Sequence, residues 1–169
     1  MITNAYVQRM SRYNRWQNEN LYGCADRLPD AERKRDAAAF FGSIHGTLAH
    51  LLWGDMTWLH RFDPSEPVAP ARPGNAGFAD LWPDWAELRQ RRAAFDAEII
   101  AWSDRISPVW LSEDLTWTSS DGKRTSTASI GMLVAHFFNH QAHHRGQVHC
   151  LLTQAGLKPA DTDLMLLRE

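Results

Sequence analysis

From Ile130 to Leu151 the apolar residues of this chain recur at steps that are sums of threes and fours: Ile130, Leu133, Phe137, Val148, Leu151. Residues so spaced share one face of an α-helix, whereas a strand would scatter them over both of its faces. The segment therefore predicts a long amphipathic helix whose stripe packs into a core. Extending the stripe by the same steps places His140 and His144 on it, one turn apart and facing inward. His143 and His149 fall on flanking or outer faces. His136 stacks one turn before His140 and is a candidate extra ligand.

Three further helical segments follow from the same periodicity. The first spans about residues 4–23, with Asn4 as N-cap and Tyr6, Met10, Tyr13, Trp16 and Leu21 on its stripe. After a turn at Leu28, Pro29 and Asp30, the second spans about residues 37–61 and is apolar on nearly every side, as a buried helix is. Residues 63–77 hold four prolines and two glycines and predict a long loop. The third helix begins near Phe78 or Trp82, because Pro83 is tolerated only in a first turn, and continues through Trp102. Within residues 108–127, Ser120, Asp121 and Gly122 separate two β-prone runs, a short hairpin signal. Ser126 or Thr127 is the expected N-cap of the last helix, which ends near Gln154 with Gly156 as its C-cap. The expected fold is all-α: one domain over residues 1–169, four helices, and a small β-hairpin before the last.

Composition narrows the function classes. The net charge of −2 supplies no basic field for nucleic acid. The local cluster Arg89, Arg91 and Arg92, faced by Asp84, Glu87, Asp96 and Glu98, reads as a solvated helix face. Two cysteines, Cys24 and Cys150, are too few for a disulfide framework, and no apolar run reaches membrane-spanning length. The expected compartment is the reducing cytoplasm, with neither membrane nor nucleic acid as partner. The eight tryptophans read as core or interface packing.

Two histidines at i and i+4 on one apolar stripe leave two readings open. Either both are core residues, each needing a hydrogen-bond partner, or they share a metal with a third ligand from another helix. The second helix offers His45, His50 and His60. His50 has the most suitable surroundings, because Gly46, Thr47, Gly54 and Thr57 share its face and are small. The His140 to His144 spacing is also that of the zinc-protease motif, but Gln141 stands where that chemistry needs a glutamate base. Zinc-protease chemistry is therefore not expected. A base, if one acts, would be Asp55 or a loop residue.

His50-Leu51-Leu52-Trp53-Gly54-Asp55 together with Asn139-His140-Gln141-Ala142-His143-His144-Arg145-Gly146-Gln147 resembles the DinB/YfiT-like proteins. The likeness extends over essentially the whole chain, including Tyr13-Asn14-Arg15-Trp16, the Asp-Gly hairpin and the closing Leu151-Leu152-Thr153-Gln154-Ala155-Gly156. It implies an up-down-down-up four-helix bundle, a homodimer, and one divalent metal, nickel or zinc, held by His50, His140 and His144. Asp55 and Arg145 match recurrent family positions, Asp55 as a partner for Arg145 or another buried donor. Asn139 and Gln147 are candidates to hold the free ring nitrogens of the ligands. The resemblance further implies a metal-dependent enzyme that activates a low-molecular-weight thiol, or else water, against a small electrophile. The alternative is a dimeric metal-binding stress protein without turnover.

Overall fold

The computed structural model describes residues 2–168. Helix α1 is Asn4–Ala25, a short α2 is Asp30–Lys34, and α3 is Ile44–Phe62. Helix α4 is Trp85–Arg105, and α5 is Ile130–Gln154. Strands β1 (Asp114–Thr118) and β2 (Thr125–Ser129) form an antiparallel hairpin immediately before α5.

The pairing residues give the direction of each long helix. Along α1, Asn4 bonds the Ile106 carbonyl, Asn18 reaches Asp96, and Asp26 meets Arg89, so α1 and α4 run antiparallel. Tyr6 packs on Phe138 and Asn14 bonds Arg145, so α1 and α5 run parallel. His50 lies against His144 and Trp58 against His136, which makes α3 antiparallel to α5. His45 faces Trp85 and Phe62 stacks on Trp102, so α3 and α4 are parallel. The bundle is up-down-down-up. Among the described residues, no helix is long and apolar enough to cross a membrane.

A parallel α3 and α4 require the chain to travel back along the bundle between them. Residues 63–84 do this, with Pro64, Pro67, Pro70 and Pro73 at the three-residue spacing of a polyproline II turn. The segment then tightens into a 3-10 helix, Asn75–Asp80, whose Phe78 is fully buried. At the far end, Phe62, Trp102, Trp110 and Phe137 form an aromatic cluster, and Trp117 of β1 extends it through Trp58.

Several boundaries depart from the sequence expectations, each for a local reason. Thr3, not Asn4, caps α1: its hydroxyl accepts from Tyr6 N, while Asn4 is already the first helical residue and its amide nitrogen donates to the Ile106 carbonyl. The turn at Leu28, Pro29 and Asp30 continues into α2, where the buried Arg33 donates to the Leu28 and Ala25 carbonyls. Helix α3 starts at Ile44 rather than residue 37. Ala38 and Gly42 both take positive φ, Ala39 and Gly42 form an isolated bridge, and the Ser43 hydroxyl caps Gly46 N. Helix α4 starts at Trp85 under an Asp84 cap, which leaves Pro83 ahead of the helix. Ser126 and Thr127 pair with Trp117 and Thr116 in the hairpin, so Ser129 is the cap of α5. At the other end Ala155 is the C-cap, and Gly156 follows it at φ +81° in a Schellman motif, Leu157 N bonding the Leu152 carbonyl. Both cysteines are free.

Candidate metal centre

His50 from α3 and His140 and His144 from α5 meet in the seam between these helices, and one ring nitrogen of each lies within 4.8 Å of the others. His50 Nε2 and His140 Nε2 are 3.3 Å apart, and the His140 and His144 ring centroids are 4.4 Å apart. The approach depends on Gly54: a Cβ there would lie 3.0 Å from His140 Cε1, so any larger residue would push that ring aside. Phe41 stacks on His50 with centroids 3.7 Å apart, Phe78 meets it edge-on at 4.7 Å, and Trp53 lies at 6.1 Å.

The electrostatics suit a cation. Burial, then repulsion from His144, His140 and Arg72, lowers the His50 pKa to about 2. Burial and the neighbouring histidines lower His140 to about 3. His144 is also lowered, chiefly by burial, with its bond to Gln147 opposing. Three imidazoles held neutral, each with a lone pair to offer, are the state a metal needs. The second nitrogens of His50 and His140 are buried without a hydrogen-bond partner. His144 Nδ1 instead donates to Gln147 Oε1 at 2.7 Å, which leaves its Nε2 lone pair free. The other end of that amide donates to His143 Nε2 at 3.3 Å, so bonds at both ends fix its orientation. The cluster is compatible with metal binding.

The remaining candidates divide clearly. His45 is fully buried, bonds the Trp82 carbonyl at 2.8 Å and is a core residue. His60 donates to the Glu66 carbonyl. His136 is exposed beside Trp58, and His143 is exposed. Asn139 is also exposed and does not hold a ring nitrogen as the sequence suggested, because it sits on the outer side of α5 and His140 Nδ1 has no partner.

A second buried polar cluster lies behind the histidines. Asp55 of α3 accepts from Arg92 of α4 at 2.7 Å, Arg92 lies 2.8 Å from Asp96, and Asp96 accepts from Asn14 and Asn18 of α1. Arg145 of α5 donates to Asn14 and covers the Tyr13 ring. Asp55 therefore pairs with Arg92 rather than Arg145, and all four long helices contribute. Burial raises Asp55 to about 6 against the lowering pull of Arg92, and burial lowers Arg145 to about 10. This corrects the reading of Arg92 and Asp96 as a solvated face: each is 2% exposed. Only Arg89 and Arg91 of that cluster lie at the surface, paired with Asp26 and Glu87.

The sequence model of the DinB family matches residues 1–169. The chain belongs to the DinB family. It is 24% identical over 163 residues to Protein DinB of Bacillus subtilis (strain 168), covering 94% of this chain and 91% of that protein. In this DinB-family chain the residues missed by sequence reasoning are Arg92, Asp96, Asn14, Asn18 and Phe41. A signal for Arg92 was present: it stands four residues after Leu88 and three before Phe95, on the apolar stripe of α4.

Proposed function

We propose that this chain is a metal-dependent enzyme in which His50, His140 and His144 hold one divalent ion, and that it acts on a small electrophile with a thiol or water as nucleophile. The observation that carries the reading is the convergence of three neutral imidazoles from two helices within 4.8 Å, with no carboxylate among them. Such donors suit zinc or nickel. A bound ion would supply Lewis acidity, lowering the pKa of a thiol or water at its open position. The chain's own contribution is to position the donors: Gln147 sets the His144 tautomer, Gly54 admits the His140 ring, and Phe41 fixes the plane of His50.

The test is the metal content of tag-free protein by mass spectrometry, with His50→Ala, His140→Ala and His144→Ala alongside. Near-stoichiometric zinc or nickel, lost in each variant, is the expected result. A native protein that carries no metal and takes up none on titration would overturn the reading.

One observation favours a second reading, a metal-binding stress protein without turnover. Phe41 covers one face of His50, and the cavities of 690, 620 and 360 Å³ are lined by residues of α1, of α5, of the segment around 108–112 and of the chain's C-terminal part, not by the three histidines. An absorption spectrum of cobalt-substituted protein that stays unchanged in saturating small thiols would favour it over the thiol chemistry. The family resemblance also leads us to propose a homodimer, which sedimentation would check.

A further inference from the structure

Arg72 stands in the middle of the proline-rich crossover, and the structure pins the chain on both sides of it. Trp53 Nε1 donates to the Pro70 carbonyl at 2.9 Å, two residues before, and the buried Phe78 anchors the segment six residues after. Pro73 follows directly and restricts the Arg72 backbone to extended conformations. The guanidinium donates to Asn75 Oδ1 at 3.0 Å, with Cζ 6.0 Å from the Trp53 ring centroid and 5.9 Å from that of Phe78. Those are two of the rings that wall His50.

Among the described residues, the charge of Arg72 has no carboxylate counterpart. Arg33, Arg35, Arg89, Arg91, Arg92 and Arg105 all meet carboxylates, but among the described residues none lies within ion-pair distance of Arg72. An exposed guanidinium held in place, with most of its five donors free and aromatic faces beneath it, is a preorganised receptor for a planar anion. Holding it there in advance removes ordering cost from binding.

We propose that Arg72 is a specificity residue that makes the three-histidine site select small molecules carrying a carboxylate. The proposal rests on the metal reading above and adds to it the class of ligand. It requires that the carboxylate reach Arg72 while another group of the same molecule occupies the metal's open position. Arg72 binds and orients; it takes no part in bond making.

The test uses the full chain loaded with cobalt, whose absorption spectrum reports thiol ligation, titrated with 3-mercaptopropionate and with 2-mercaptoethanol. The two thiols share the HS–CH2–CH2 unit and differ in whether it ends in a carboxylate or a hydroxyl. In Arg72→Gln the affinity for 3-mercaptopropionate is expected to fall about fivefold, the upper end of what an exposed ion pair delivers. The affinity for 2-mercaptoethanol stays unchanged, and Arg72→Lys recovers part of the loss. Equal losses for both thiols, or no change for either, would overturn the proposal and leave the metal reading standing. Cobalt uptake with no response to either thiol overturns it together with the thiol chemistry. Failure to take up cobalt at all is the result that removes the metal reading itself.

Discussion

Two buried polar clusters lie side by side in this bundle, and they are completed in different ways. The Asp55, Arg92, Asp96 and Arg145 cluster contains two acids and two bases, braced by Asn14 and Asn18, so the chain supplies every charge it needs. The histidine cluster contains bases only, and burial together with mutual repulsion keeps them unprotonated. The first is charge-balanced and built on the Arg92 ion pairs to Asp55 and Asp96, although Asp55 Oδ1, Arg92 Nε and Arg145 Nη2 lack hydrogen-bond partners. The second has donors for a cation that the chain does not provide. Buried polar groups without partners are costly, and a bound cation would occupy the ring lone pairs that the histidine cluster leaves open.

The comparison breaks most sharply at Arg92. Arg92→Met leaves Asp55 and Asp96 buried without their counter-ion and should destabilise the metal-free protein by about 3–5 kcal/mol, read by urea unfolding. His50→Ala in the same metal-free protein should cost below about 2 kcal/mol, since it strands no charge. Equal costs would show that the two clusters are structural in the same sense.

Acid sharpens the contrast, because the clusters respond to it with opposite signs. The folded pKa values of His50 and His140 lie below that of an unfolded histidine, so the unfolded state takes up protons first as pH falls below about 6.5 and stability is lost. Between pH 6 and 5 this pair should remove about 2 kcal/mol from the metal-free protein. Asp55 has a raised folded pKa, so its contribution is present at low pH and lost as pH rises through about 6. It should offset about 1 kcal/mol of the histidine effect over the same interval. The His50→Ala/His140→Ala double variant should therefore resist acid better than the parent and Asp55→Asn worse. A parallel pH profile for all three proteins would contradict these assignments.

The smallest effects separate support from surface. Gln147→Ala frees the His144 ring and should weaken zinc binding about tenfold, measured by competition with a chromophoric chelator. Asn139→Ala should change neither zinc affinity nor stability by more than about 0.5 kcal/mol. A comparable loss of affinity in both would mean that Asn139 supports the site from the outer side of α5.

How far the sequence carried the reading depended on whether a residue spoke through periodicity. The stripe from Ile130 to Leu151 set α5 and the inward face of His140 and His144, and the small neighbours of His50 marked the space its partners occupy. The Asp-Gly signal located the hairpin because Gly122 supplies the positive φ its turn needs. Arg92 was misread because arginine is usually exposed and its neighbours Arg89 and Arg91 are; only its position on the α4 stripe argued otherwise. Phe41 looked like the start of a buried helix, yet it stands in the bridged turn before Ser43 and packs on His50. Caps and aromatic walls depend on chain segments far apart in sequence, and no local pattern announces them.

The position of Trp53 has an optical consequence. Its indole lies against His50, 6.1 Å between centroids, while Trp102 and Trp110 sit in the aromatic cluster at the far end of the bundle. An open-shell ion held by the histidines should quench the emission of this indole more strongly than that of the distant ones, whereas closed-shell zinc should not quench in this way. The fluorescence of the unmodified chain would thus report which kind of ion the histidines take up.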